Sequence, residues 1–285
     1  MALTAVQLTG YQKAEFAKAS KWRMRLLIFQ FLASLPAALA VIVNSEAVLY
    51  FLAIVGVAML ALWWWARARY MAARSAAHSA RRASLVVNGL GHELSAGEHQ
   101  RLRQLFTVNE ADADQLVDSA YYASRLVGGA PRLGEMLEES AFYSKAVHAE
   151  SAKIMTNILI CVVILLAAIA ISGVPFVERA TALVFVKIVL AASVFILSSD
   201  VIGSVKEHRE ACRAAGDVQQ RMCTAFAAGF PEGDVVLAMA DYNNAMESAP
   251  EAIPGVFNRI EGELNRRWAE YQRDRDVARA GDPRR

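Results

Sequence analysis

The chain has 285 residues, of which 55% are hydrophobic, and its mean hydropathy is +0.28. A net charge of only +2 gives no reason to expect a strongly acidic or basic partner. Three cysteines without a C-x-x-C pattern exclude a disulfide framework and fit a reducing cytoplasm, and we expect no cleavable signal peptide.

Two apolar stretches follow the first 25 residues. Residues 26–43 and residues 47–66 are each long enough to cross the hydrocarbon core of a bilayer, which takes about 20 helical residues. Pro36 lies inside the first stretch, and a transmembrane helix tolerates it there. Only residues 44–46 separate the two stretches, so the sequence predicts a tight helical hairpin.

A second pair of apolar stretches comprises residues 154–176 and 180–200. Lys187 lies within the last stretch, where an ammonium group facing lipid costs several kcal/mol. Two interpretations stay open: its side chain snorkels to the outer interface, or it faces a bundle interior or a water-filled pore. Asn157 and Gln30 are the other polar groups at membrane depth. The simpler interpretation is that they hydrogen-bond between helices.

Basic residues predict the orientation of these spans. Lysines and arginines flank both hairpins on the side of the termini, whereas the two short turns hold a single basic residue. We therefore expect a multi-pass membrane protein with both termini in the cytoplasm. Its predicted divisions are an N-terminal amphipathic helix, a first transmembrane hairpin, a cytoplasmic insert, a second transmembrane hairpin and a cytoplasmic C-terminal region: 1–25, 26–66, 67–153, 154–200 and 201–285.

The parts outside the spans also have helical patterns. Ser95 and Glu98 form a capping box, which predicts a short helix. Pro131 predicts the start of a helix that continues without a break into the third span. Since no alternating strand pattern persists, the sequence predicts an all-α membrane protein with four transmembrane helices and a helical cytoplasmic domain. A soluble bundle with very hydrophobic core helices is the alternative.

Motifs for catalysis are absent from the sequence. The five histidines are scattered and form no HExxH, and neither a phosphate-binding loop nor a dinucleotide fingerprint occurs. No Gly-x-Ser-x-Gly elbow is present either. We expect no enzyme activity, no catalytic residue, no cofactor and no metal site.

The segment 240–268 is rich in Tyr, Asn, Pro and Arg, and it supports two interpretations. One is a ligand or partner surface, because aromatic rings stack on ligands and arginines bind phosphate. Its candidate residues are Asp241, Tyr242, Asn243, Arg259, Asn265, Arg266 and Trp268. The other interpretation is a helix–turn–helix that is packed by its own apolar side chains, namely Tyr242, Ile253, Phe257, Leu264 and Trp268.

Short motifs in this segment carry a family resemblance. They are "DYN" at 241–243, "SAP" at 248–250, "IP" at 253–254 and "NRI…ELNRRW" at 258–268. Together with "LGEMLEESAFYSKAV" at 133–147 and the two hairpins split by an insert, they resemble the SMODS-associated four-transmembrane effectors of bacteria. The resemblance covers about residues 10 to 275.

This resemblance implies a pore-forming effector of antiphage defence in the bacterial inner membrane. Such effectors work beside a nucleotidyltransferase that makes a nucleotide signal, as in CBASS-like systems, or a DNA oligomer, as in Hailong-like systems. The implied outcome is membrane depolarisation and growth arrest of the infected cell.

Four spans are too few to enclose a wide channel alone, so a pore requires a homo-oligomer, which we expect to have cyclic symmetry, for example as a tetramer. A non-conducting membrane scaffold that recruits a cytoplasmic partner is the main alternative. A small transporter ranks last, because only Pro36 and a lone lysine fit its pattern of broken helices and paired charges.

Overall fold

The structure, a computed structural model, describes residues 2–40, 43, 45–173, 186 and 201–280. All regular secondary structure within these ranges is helical, which confirms the all-α class. The helices α1 to α8 are, in chain order, Ala5–Ala40, Glu46–Ser84, Ala96–Leu105, Glu110–Asp114, Ala130–Gly173, Val201–Ala227, Glu232–Ser248 and Val256–Ala280. A π-helical turn, Leu85–Leu90, extends α2.

Helices α1 and α2 pack against each other along their length as an antiparallel pair. Five residues separate the end of α1 at Ala40 from the start of α2 at Glu46, so the predicted tight hairpin is present. Pro36 lies inside α1 without ending it, and it faces Gly56 of α2. Because α1 is one continuous helix, the predicted N-terminal amphipathic helix and the predicted first span are two halves of the same rod.

Helices α5 and α6 form the second antiparallel pair. Contacts join His148 to His208 and Glu138 to Cys223, so the chain direction of α6 is opposite to that of α5. Helix α5 starts at Ala130, next to Pro131 as predicted, and it runs for 44 residues. At 1.5 Å per residue this rod is about 66 Å long. It therefore joins the predicted cytoplasmic insert to the third predicted span without a break.

Two stretches of the described residues are long and apolar enough to cross a membrane: Glu46–Leu90 and Ala130–Ala168. In the most apolar 18-residue windows of these stretches, only 6% and 11% of the residues are buried. They contain the second predicted span and residues 154–168 of the third. Residues 26–40 of the first predicted span belong to α1, which is not one of the two stretches, and the fourth predicted span lies outside the described residues apart from Val186. We call the parts of α1, α2 and α5 that hold predicted spans their outer halves, and the remaining parts their inner halves.

The main hydrophobic core lies where α5, α6 and α7 meet. The inner half of α5 contributes Leu133, Met136 and Leu137, which are fully buried. Opposite them are Val218 and Met222 of α6, together with side chains of α7. This core fixes α7 against the hairpin of α5 and α6.

A second core surrounds the inner half of α1. Leu8 and Leu102 are fully buried there, against α2, α3 and α4. The buried carboxylate of Glu15 accepts hydrogen bonds from the hydroxyl of Thr107 (2.7 Å) and from the backbone N–H of Val108 (2.9 Å). The inner half of α1 is therefore an integral part of the helical body that it forms with α2, α3 and α4.

Candidate functional site

One loop contacts both helical hairpins just inside the predicted membrane boundary. It comprises residues 249–255, between α7 and α8, and we call it the clamp loop. Arg23 of α1 donates to the carbonyl of Ala252 at 3.2 Å, and the backbone N–H of Ile253 donates to the hydroxyl of Ser151 in α5 at 3.3 Å. The clamp loop thus connects the two hairpins.

Helix α2 holds the start of the same loop through Arg74. Its guanidinium donates to the carbonyl of Glu247 at 2.8 Å and to the carbonyl of Ala249. The carbonyl of Glu247 belongs to the last turn of α7 and that of Ala249 to the residue after it, so no intrahelical donor remains for either. The guanidinium therefore caps α7 and fixes the point at which the clamp loop leaves it.

Glu251 is the charged centre of the clamp loop. Its Oε1 lies 3.2 Å from Nε of Arg74 and 3.6 Å from Nε2 of His78. Burial opposes the negative charge, but the His78 imidazole and the guanidinium groups of Arg74 and Arg23 outweigh it and hold the pKa of Glu251 below its usual value. Burial lowers the pKa of His78, and the carboxylate of Glu251 acts in the opposite direction.

The sequence explains why this segment is a loop. Pro250 lies two residues after the end of α7, and Pro254 lies two residues before the start of α8. A proline lacks the N–H that a helix interior needs, and the residue before a proline disfavours helical backbone angles, so neither helix extends through this segment. Gly255 has a φ of +85°, in the left-handed region that glycine adopts without strain. The prolines and the glycine therefore account for the loop that holds Glu251.

Two histidines meet beside the clamp loop, between α5 and α6. The Nδ1 atoms of His148 and His208 are 2.9 Å apart, and both side chains are buried. One ring must carry its proton on Nδ1 and donate it, while the other accepts with a bare Nδ1. Protonation of both rings would place two N–H groups against each other.

The surroundings keep this pair neutral. Burial lowers the pKa of His148 to about 4, and nearby arginines act in the same direction. Burial and the adjoining His148 lower the pKa of His208 to about 3. The Nε2 atom of His208 has no hydrogen-bond partner among the described residues. The pair is therefore a neutral contact at pH 7 that acid disfavours.

The candidate residues of α7 mostly serve internal contacts. The hydroxyl of Tyr242 lies 2.9 Å from that of Ser144, and its buried ring faces Arg81. Asp241 is exposed and forms an ion pair of 2.6 Å with Arg221. Asn243 is buried, and its Oδ1 has no partner within the described part of the chain.

The candidate residues of α8 lie along α5. Arg259 pairs with Glu150 at 2.9 Å, and Asn265 accepts from the hydroxyl of Tyr143 at 2.7 Å. Trp268 is buried, with ring centroids 5.1 Å from Phe142 and 5.3 Å from Tyr271. Arg266 is exposed.

The five side chains of the helix–turn–helix interpretation lie at different depths. Tyr242, Leu264 and Trp268 are buried. Ile253 is partly buried, and Phe257 is 40% exposed.

The polar residues predicted at membrane depth are not brought together. Gln30 is partly exposed on α1, and Asn157 is exposed on α5. Lys187 lies outside the described residues. Over the described ranges, no three His, Cys, Asp or Glu side chains are arranged to hold a metal ion.

The sequence analysis missed Glu251 and the histidine pair. His148 precedes the third predicted span by six residues, and His208 follows the fourth by eight. An antiparallel hairpin places such residues at a similar depth, so a signal for the pair was present. Glu251 had no comparable signal beyond its position between two prolines.

No known protein family, curated protein or solved structure matches this chain. The geometry of the clamp loop and the sequence pattern are therefore the basis for a functional proposal.

Proposed function

We propose that this chain is the subunit of an oligomeric pore-forming effector in a bacterial inner membrane, acting in antiphage defence. The observation that supports this best is the clamp loop, which contacts α1, α2 and α5 within about 12 Å of helix from the inner ends of the predicted spans. A displacement of α7 or α8 would therefore act on both hairpins at once.

In this proposal each chain crosses the membrane four times, with both termini in the cytoplasm. Large side chains that are exposed on the outer halves of α1 and α2, such as Phe31, Phe51 and Ile54, support contact with lipid. The distribution of lysine and arginine around the hairpins supports the orientation.

The pore itself requires several copies arranged with cyclic symmetry, such as a tetramer. Lys187 of each copy would face the water-filled path, where its charge does not meet acyl chains. A ring of ammonium groups near the outer mouth favours anions.

The controlling signal would be a nucleotide or a DNA oligomer made by a partner nucleotidyltransferase. It would act on the cytoplasmic body, where Asp241, Arg259 and Arg266 are exposed on α7 and α8. A ligand that binds one arrangement of these helices more tightly shifts the population of pores accordingly. The clamp loop would transmit that shift to the membrane, with depolarisation and growth arrest as the result.

Conductance in liposomes tests this proposal. Purified protein should make an ion conductance, and Lys187→Leu should lower its preference for chloride over potassium, measured as a shift in reversal potential. Lys206→Leu, which removes an exposed lysine of α6, serves as the control and should leave the selectivity unchanged. If Lys187→Leu leaves the selectivity of the conductance unchanged, Lys187 does not line the pore. If the purified protein makes no conductance, the proposal of a pore is contradicted.

A membrane-potential dye distinguishes the pore from a non-conducting scaffold in cells. Rapid depolarisation on infection supports the pore, whereas an intact potential with retained binding of a cytoplasmic partner supports the scaffold. The gene neighbourhood tests the pathway, since we expect an adjacent nucleotidyltransferase gene.

A further inference from the structure

Basic side chains line a groove between α5 and α6 at the inner end of the third predicted span. The groove has a volume of about 440 Å³. Lys153, Arg209 and Arg213 supply positive charge, while the hydroxyl of Thr156 and the amide of Asn157 supply neutral polar groups. Such a combination suits a phosphate, because each of these five side chains carries a hydrogen-bond donor and three of them carry positive charge.

One arginine extends from the cytoplasm toward the membrane. Arg209 follows His208 by one residue, and His208 contacts His148 of α5. The guanidinium of Arg209 nevertheless donates at 3.2 Å to the hydroxyl of Thr156, which lies eight residues beyond His148 toward the span. The positive charge of the groove is therefore held at the level where lipid headgroups lie.

The groove carries an excess of positive charge. Among the residues that the structure describes, neither Arg209 nor Arg213 forms an ion pair. Lys153 lies 3.8 Å from Glu150, but that carboxylate is held more closely by Arg259, at 2.9 Å. A bound anion would thus meet two guanidinium groups that no described carboxylate neutralises.

Above the groove, α5 presents an apolar surface. Ile160 and Ile164 follow Asn157 by three and seven residues, so they lie on the same side of the helix. Both are at least half exposed. A ligand with a phosphate at one end and an acyl chain at the other matches this sequence of polar and apolar contacts.

We propose that this groove binds the phosphate headgroup of an anionic phospholipid from the inner leaflet. Basic pockets between transmembrane helices on the cytoplasmic side commonly bind such headgroups. The proposal rests on the placement of α5 across the membrane and does not depend on pore activity. The lipid would bridge α5 and α6 immediately above the histidine pair.

Native mass spectrometry of the full-length protein in a neutral detergent tests this site. Phosphatidylglycerol should bind more tightly than phosphatidylcholine, and Arg209→Gln with Arg213→Gln should weaken its binding about 30-fold, since each basic residue near anionic lipid contributes about a fivefold factor. The matched control, Lys206→Gln with Arg267→Gln, also removes two exposed basic residues but lies outside the groove. It should change the affinity less than twofold.

Soluble competitors separate a lipid from a free phosphate compound. Inorganic phosphate and ATP at millimolar concentration should leave phosphatidylglycerol bound. Displacement by either one would assign the groove to a soluble phosphate and overturn the lipid proposal. Equal affinity for the two lipids, or an unchanged affinity in the arginine double variant, would also overturn it.

A second variant covers the case in which the double arginine variant does not fold. Ala149 is exposed and lines the groove, so Ala149→Phe fills the space without changing charge. Weaker phosphatidylglycerol binding by this variant supports the site, and unchanged binding contradicts it. Neither result depends on conductance, so failure of the lipid site and failure of the pore can be told apart.

Discussion

The two halves of α2 differ in which side chains they bury. In the outer half, large side chains such as Tyr50, Val57 and Trp64 are more than two-thirds exposed. In the inner half, Ala73 and Ala77 are fully buried, although both are small. In a helix surrounded by water, the large apolar side chains are usually the buried ones. In α2, large apolar side chains are exposed in the outer half, and small ones are buried in the inner half.

This difference is the one expected if the two halves face different solvents. In water, the burial of large apolar side chains drives packing, whereas small side chains contribute less free energy when they are buried. In lipid, large side chains can stay at the surface, because acyl chains are as apolar as they are. The inner half uses small residues because α1 and α7 pack close to it, and it places its polar side chains at specific partners such as Glu251.

The largest effect is expected where the inner half meets the clamp loop. Glu251→Ala leaves Arg74 partly buried without its carboxylate, and removing one partner of a buried ion pair typically costs about 3–5 kcal/mol. We expect a lower midpoint of thermal unfolding for the purified protein in detergent. Glu270→Ala removes an exposed carboxylate of α8 and should cost less than about 0.5 kcal/mol. Equal midpoints for the two variants would contradict a structural role of the clamp loop.

Acid should weaken the junction through the histidine pair. The folded-state pKa values of about 4 and about 3 lie below the unfolded value of 6.5, so the unfolded chain binds more protons between these limits. Stability is therefore full above pH 6.5 and falls as the pH decreases, by about 2–4 kcal/mol between pH 7 and pH 5.

Unfolding midpoints measured from pH 8 to pH 5 test this dependence. Replacing His148 and His208 together by Leu should remove most of it, with a smaller remainder from His78, whose pKa is also lowered by burial. A double variant that keeps the full pH dependence would rule out the pair as its source.

Two leucines of similar exposure, one in the outer half of α2 and one on α7, test whether these two regions face different solvents. Leu60 of α2 is 59% exposed and Leu237 of α7 is 62% exposed. Leu60→Arg should disfavour membrane integration by about 2–3 kcal/mol, because arginine is costly inside a span. Leu237→Arg should have no such cost. Resistance to carbonate extraction measures integration, and equal resistance of both variants would place Leu60 outside the bilayer.

The smallest effect is expected for an ion pair on the surface. Arg82 contacts Glu247 at 2.8 Å near the clamp loop, but the arginine side chain is 47% exposed. Exposed pairs contribute only about 0.2–1 kcal/mol. We expect Arg82→Ala to lower the unfolding midpoint slightly, with a loss that shrinks at high salt. A loss as large as that of Glu251→Ala would mean that the clamp loop depends on surface charge.

Local features of the fold were predictable from the sequence. The hydroxyl of Ser95 accepts from the N–H of Glu98 at 3.2 Å, as the capping box predicts. Pro131 stands in the first turn of α5, also as predicted. Both depend on residues within one helical turn, where local chemistry decides the structure.

The candidate site depends on contacts that are distant in sequence. Arg74 and Glu251 are separated by 177 residues, and His148 and His208 by 60. Their meeting depends on how the hairpins and α7 pack, which periodicity alone does not determine. Trp268 and Tyr242 were visible as candidates, but their burial against α5 follows from the same long-range packing.

A measurement of membrane topology by thiol labelling tests most directly whether the whole helical body lies on one side of the bilayer. In a variant whose three cysteines are replaced by Ser, single cysteines at Ser45 and Gly233 can be treated in intact cells with a thiol reagent that does not cross the inner membrane. We predict modification at position 45, in the first hairpin turn, and protection at position 233, at the start of α7, until the membrane is permeabilised. Modification at position 233 in intact cells would contradict a cytoplasmic body, and with it control of the pore by an internal signal.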